Sequence, residues 1–242
     1  RLARMASPRS RSPLFIAIVA AFACFGALLV LALAIVIGVV VWNGSSEEPG
    51  PEASSASDGL VLPPGVAEDQ PYLEVGTSED GPVVDVYVDF LCPHCATFHD
   101  AQGEDLARMA QDGEITLRMH PRPMLDESSS PAGYSGRAAN AAVCAYAQDP
   151  AQWFAAESAL FEEQPDAAGL SDEELTGLVR DATGLDVSDC ITEGTYLPWI
   201  EEVVEPEALS RTQGTPAVFI DGEEFTGDIT APGALEEAVA AA

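Results

Sequence analysis

Two cysteines separated by two residues, Cys92 and Cys95, carry the most explicit chemistry in this 242-residue chain. On a helix, thiols at that spacing lie one turn apart and can close and reopen a small disulfide. Their neighbours say where the pair sits. Val83-Val84-Asp85-Val86-Tyr87-Val88 is β-branched and largely apolar, as a central strand should be. Beyond the pair, Phe98, Leu106, Met109 and Ala110 return near helical spacing until Asp112-Gly113 stops the run. Pro93 suits a first helical turn, where its missing N–H removes a donor with no intrahelical partner. The stretch Asp89-Phe90-Leu91-Cys92-Pro93-His94-Cys95 therefore reads as a strand end turning into a helix that opens on two thiols.

A thiol at a helix start meets unpaired N–H groups and the positive end of the helix dipole, and both stabilise its thiolate. Cys92 is the candidate nucleophile and Cys95 the resolving thiol, with His94 able to add a donor or a positive charge beside the Cys92 sulfur. Two blander readings compete, an inert structural disulfide and half of a zinc site completed by His99. So short a loop gives a structural disulfide little stabilisation. A closed zinc site needs four ligands, and apart from His94 only His120 is left as a histidine.

The strand and helix recur as part of a longer pattern. Glu114-Ile115-Thr116-Leu117-Arg118-Met119-His120 alternates as a half-buried strand, ended by Pro121 and Pro123, which completes a βαβ unit. Its cysteines then lie at the carboxyl end of the first strand, where open α/β sheets place their chemistry. Gly59-Leu60-Val61-Leu62 and Tyr72-Leu73-Glu74-Val75 are expected as short strands before it. From about 131 to 211 the periodicity is helical. Ala138, Ala142, Ala145 and Tyr146 mark one helix, and Trp153, Phe154, Leu160 and Phe161 a second. Ser171 with Glu174 forms a capping box for a third, while Pro198 and Pro206 interrupt a further stretch. The sheet then resumes with Pro216-Ala217-Val218-Phe219-Ile220, a two-residue Asp221-Gly222 turn, the return strand Glu223-Glu224-Phe225-Thr226 and a last helix over 234–241.

The N-terminal region is of another kind. Residues 14–42, from Leu14 to Trp42, contain no charged side chain and exceed the length a helix needs to cross a bilayer. Arg1, Arg4, Arg9 and Arg11 precede them, which places residues 1–13 in the cytoplasm by the positive-inside rule. A cleaved signal peptide is the alternative, but its apolar region should be shorter and end in a small-residue cleavage site. Residues 43–58 are nearly devoid of apolar side chains and read as an acidic flexible linker. All 40 acidic residues lie beyond residue 46, against six arginines and no lysine, so nucleic acid is not an expected partner.

Cys92-Pro93-His94-Cys95 at a strand–helix junction, a helical insertion, and Gly214-Thr215-Pro216 leading into a strand and hairpin resemble the DsbA-type branch of the thioredoxin superfamily. The resemblance covers residues 59–242. It implies an α/β thioredoxin-like fold with a helical insertion at about 131–211, here preceded by one transmembrane helix. It further implies a cis Pro216 facing the cysteines, with Thr215 pairing its backbone to a substrate chain. Relatives of the membrane-tethered, actinobacterial type imply a second disulfide, Cys144–Cys190. The implied activity is thiol–disulfide exchange, as an extracytoplasmic oxidase acting on reduced secreted proteins and reoxidised by a membrane quinone-linked partner. No metal or organic cofactor is implied. An isomerase or reductase of the same fold is the alternative, and a tethered binding module or holdase without redox turnover is a third reading. One position departs from the pattern. Thioredoxin-like proteins often carry a buried acid six residues before the first cysteine, where this chain has Val86, with Asp85 and Asp89 nearby. The proton acceptor is left unassigned.

Overall fold

The structure is a computed structural model that describes residues 60–242. The expected anchor at 14–42 and linker at 43–58 lie outside the described residues. Among the described residues, no helix is long and apolar enough to cross a membrane.

Five strands, β1 (Leu73–Gly76), β2 (Val83–Val88), β3 (Thr116–Pro121), β4 (Ala217–Ile220) and β5 (Glu223–Glu224), form one sheet in the order β1-β3-β2-β4-β5. The β-branched run makes β2 the central strand, parallel to β3 and antiparallel to β4. Helix α1 (Pro93–Gln111) makes the crossover between the two parallel strands and ends where Asp112 caps it and Gly113 takes a left-handed φ of 71°. Between Asp221 at φ 48° and Gly222 at φ 84°, the β4–β5 turn has both central residues left-handed, which is why it uses Asp-Gly.

Two expected strands differ. Residues 60–62 form no strand, although Leu60 and Leu62 pack partly buried against the core. Pro63-Pro64 directly afterwards removes two successive ladder donors, so the segment covers apolar surface without pairing. The return strand β5 is two residues long and stops before Phe225, which turns toward the core.

The insertion between β3 and β4 is helical: α2 (Tyr134–Gln148), α3 (Trp153–Glu162), α4 (Asp172–Thr183) and α5 (Ser188–Glu193) come first. Both reciprocal bonds of the Ser171–Glu174 capping box are formed. A helical turn at Leu197–Trp199 continues through a π-helical stretch, Ile200–Val204, into α6 (Glu205–Arg211). Pro206 has no N–H to return to the preceding turn, and the widened π register accommodates that loss without ending the helix. The chain closes with α7 (Ala234–Val239), and the buried Gln102 amide of α1 holds the loop before it by donating to the Ile229 and Ala231 carbonyls.

Cys144 on α2 and Cys190 on α5 are joined by a disulfide, with Cα atoms 6.0 Å apart and a sequence separation of 46. A closed loop of that size stabilises by about 4 kcal/mol in the chain-entropy model. Replacing both cysteines by alanine should lower the melting temperature and leave the titration of Cys92 unchanged. Two alkylatable thiols at these positions in native, unreduced protein would refute the bond.

Candidate active site

The central strand ends at Val88, and four residues later Cys92 occupies the N-cap of α1 with an extended backbone. Pro93 takes the first helical position. No acidic residue lies in the first turn of α1, although the chain carries 40 acids, so nothing there offsets the positive helix end. Cys92 and Cys95 stand as free thiols, with Cys92 keeping 5% of its surface exposed and Cys95 none. Cys92 is the sulfur an incoming chain can reach.

The Cys92 thiol donates to the Thr215 carbonyl at 3.5 Å. The Asp89 N–H donates to the Cys95 sulfur at 3.4 Å. The Cys95 thiol is the main cause that lowers the Cys92 pKa, from an ordinary 9.0 to about 5, against the opposing effect of burial. The Thr215 hydroxyl and the backbone N–H groups of Cys95 and His94 lower it further. Thr215 Oγ1 is buried without a hydrogen-bond partner in the present geometry, which leaves its hydroxyl free to turn to the sulfur once Cys92 ionises. Burial, and then the neighbouring Cys92, push the Cys95 thiol far up. The two sulfurs are therefore split into a ready thiolate and a held thiol.

His94 is exposed and acts on Cys92 through its backbone N–H. The Thr215-Pro216 bond is cis, and both residues line a groove of about 410 Å³ with Arg211, Gly214 and Glu224. The structure thus brings Cys92, Cys95, Pro93, His94 and Thr215-Pro216 together, while Cys144 and Cys190 sit apart within the insertion.

Asp85 points away from the thiols: its carboxylate meets the buried His120 ring at 3.0 Å, on the sheet face that also carries Tyr87, whose hydroxyl donates to Glu207 of α6. Asp89 lies under the site with no exposed surface. Its carboxylate accepts from the N–H groups of Leu91 at 2.7 Å and Leu125 at 2.8 Å and from the Ser135 hydroxyl at 2.7 Å. Burial raises its pKa from 3.8 to about 6 against those three bonds. Gln164, from the insertion, donates to the carbonyls of Phe90 at 2.9 Å and Cys92 at 3.1 Å. Sequence reasoning gave Asp89 no role and did not reach Gln164 or Ser135. For Asp89 a signal existed, an acid immediately after the apolar central strand; for the other two there was none.

The thioredoxin family model matches residues 69–239. Reduced DsbA from Mycobacterium tuberculosis is similar in structure, with a TM-score of 0.60 and 27% identity over 70% of this chain and 90% of that one. The reduced disulfide bond oxidoreductase DsbG of the same organism gives 0.58 and 27%, covering 75% and 89%. Among curated proteins, the serine/threonine-protein kinase PknE of Mycobacterium tuberculosis is 29% identical over 156 residues, 60% of this chain. The chain spans 28% of that kinase's length, so the kinase activity stays with that protein. The strand–helix thiol pair, the cis proline beside it and a family match over most of the chain agree: this protein belongs to the thioredoxin family, on its DsbA-type branch.

Proposed function

We propose that this protein is an extracytoplasmic thiol oxidase, tethered by residues 14–42, that introduces disulfides into reduced secreted proteins. The observation that carries the direction is the Cys92 thiolate, held at about 5 by a buried donor thiol, a hydroxyl and two backbone N–H groups. Whatever stabilises the reduced form makes the disulfide a stronger oxidant. In the forward reaction a substrate thiolate attacks Cys92 Sγ of the Cys92–Cys95 disulfide. The S–S bond breaks, and Cys95 departs and takes up a proton. A second substrate thiolate then attacks the substrate sulfur of the mixed disulfide and expels Cys92 as a thiolate, leaving a substrate disulfide and a two-electron-reduced pair. A membrane quinone-linked protein reoxidises the pair, and Thr215 and Pro216 align the substrate chain. The charge-free stretch at 14–42 behind four arginines supports the tether.

The reduction potential of Cys92–Cys95, equilibrated against glutathione, tests the direction. A value well above the roughly −270 mV of thioredoxin is expected, with stoichiometric oxidation of a reduced, unfolded secreted protein. A thioredoxin-like potential would assign the reductase instead. A chain truncated before Ser45 that still sediments with membranes would remove the tether.

A further inference from the structure

Arg122 has no place in the chemistry above, yet its guanidinium is completely buried. It follows β3 directly, and its backbone N–H donates to the Val88 carbonyl at 2.7 Å, at the end of the strand that leads into Cys92. Its side chain forks onto one carboxylate: Nε meets Glu205 Oε2 at 2.8 Å and Nη2 meets Glu205 Oε1 at 2.7 Å. The remaining nitrogen, Nη1, donates to the Gly214 carbonyl at 3.5 Å. The same carbonyl accepts from the Thr212 hydroxyl at 3.1 Å. Glu205 opens α6, and α6 delivers the chain to Thr212, Gly214 and Thr215. One side chain therefore joins three segments: the strand end beneath Cys92, the start of α6, and the loop whose next carbonyl, that of Thr215, touches Cys92 Sγ.

Stability alone does not account for this arrangement. Burying two charges is expensive, and a buried pair replaced by apolar residues of similar volume is often neutral or stabilising. What apolar residues cannot supply is direction. A planar fork fixes the angle as well as the distance of its partner, and the third donor extends that constraint to Gly214.

We propose that Arg122, locked by Glu205, is a positioning residue that sets the 212–216 loop against the Cys92 sulfur, so that Thr215 meets both the thiol and the incoming substrate backbone in register. The inference rests on disulfide exchange at Cys92 and on the Thr215 contact, and it is independent of whether the protein oxidises or reduces its substrates.

The test replaces the pair by an apolar one, Arg122→Met/Glu205→Leu, beside the conservative Arg122→Lys, which keeps the charge and loses the fork. Three quantities are read in each variant: the melting temperature, the Cys92 titration midpoint from thiolate absorbance, and the kinetics of oxidising a cysteine-pair peptide. The double variant should melt within a few degrees of the parent. Its kcat/KM should fall on the order of tenfold, mainly through KM, since a loop displaced by a fraction of an ångström misaligns the bound chain. Its Cys92 midpoint should rise, because the Thr215 hydroxyl is no longer placed to turn to the ionised sulfur. Arg122→Lys should fall between. If the double variant fails to fold, Arg122→Lys decides alone. Parental kcat/KM and an unshifted Cys92 midpoint in the folded variant would reduce Arg122 to a buried structural charge. Failure of the oxidase reading looks different: a thioredoxin-like potential in the parent protein, with the variant midpoints still displaced.

Discussion

Cys92→Ser should abolish thiol–disulfide exchange outright, whereas Cys95→Ser keeps the Cys92 thiolate, which should attack the disulfide of an oxidised substrate, expel one substrate thiolate and stall as a mixed disulfide on Cys92. The asymmetry follows from position and ionisation together. Cys92 is at the helix end with a strip of exposed surface and a pKa lowered to about 5, while Cys95 is sealed in the core with its thiol pushed far up. At neutral pH nearly all Cys92 is thiolate, against a few per cent for an ordinary cysteine. The rate of iodoacetamide alkylation of the reduced protein should therefore rise through a midpoint near 5 and stay flat to pH 8. The potential carries the same signature. Each proton bound on reduction contributes about 30 mV per pH unit to a two-electron couple. Below the Cys92 pKa reduction takes up two protons, and above it one, so the slope should halve near pH 5. The sign for stability is that of a depressed acid. The stabilisation of reduced protein by Cys92 is fully present above the ordinary value of 9.0 and is lost as pH falls through about 5. A single slope across this range, or equal alkylation rates for the two cysteines, would overturn the assignment of nucleophile and resolving thiol.

How much of this site the sequence disclosed depends on how far each feature reaches along the chain. The strand–turn–helix around Cys92 was legible because neighbouring residues agree: a β-branched run, proline at the first helical position, and Asp-Gly at the stop. The Ser171 capping box and the Asp221-Gly222 turn were legible for the same reason, since their partners lie within four residues. The Arg122–Glu205 fork spans 83 positions, and Gln164 reaches back 72 to Cys92. Nothing local distinguishes Glu205 from the other acids of so acidic a chain, because burial is conferred by tertiary packing. Leu60-Val61-Leu62 failed in the opposite way: it has strand-like residues, but its two following prolines deny it a ladder.

Asp89→Asn should be the most informative single change at the site, because it separates the residue's structural bonds from its charge. The carboxylate accepts from Leu91, Leu125 and Ser135 at once, and so binds the redox turn to the loop after β3 and to the start of α2. An amide has one acceptor oxygen and a donor NH2. The Ser135 hydroxyl can reverse to accept from that group, but in either amide orientation one of the two backbone N–H groups loses its partner. An orphaned buried donor costs about 1–3 kcal/mol, so the variant should melt earlier at neutral pH. The loss should narrow toward higher pH, because the parent carries a penalty there that asparagine does not. A carboxyl raised by burial from 3.8 to about 6 contributes stability that is fully present below about 4 and is lost as pH rises through 6. The effect on the redox couple runs the other way. Two negative charges in one buried site oppose each other, so the Cys92 thiolate, which forms first at about 5, adds to the burial that raises the Asp89 pKa to about 6. Removing the Asp89 carboxylate should leave the Cys92 midpoint near 5, where Asp89 is still mostly protonated, but at neutral pH it should relieve the repulsion in the reduced protein and make the disulfide more oxidising, even as the fold weakens. A destabilised variant with the parental reduction potential at pH 7 would leave Asp89 a hydrogen-bonding anchor alone, with no part in setting the potential.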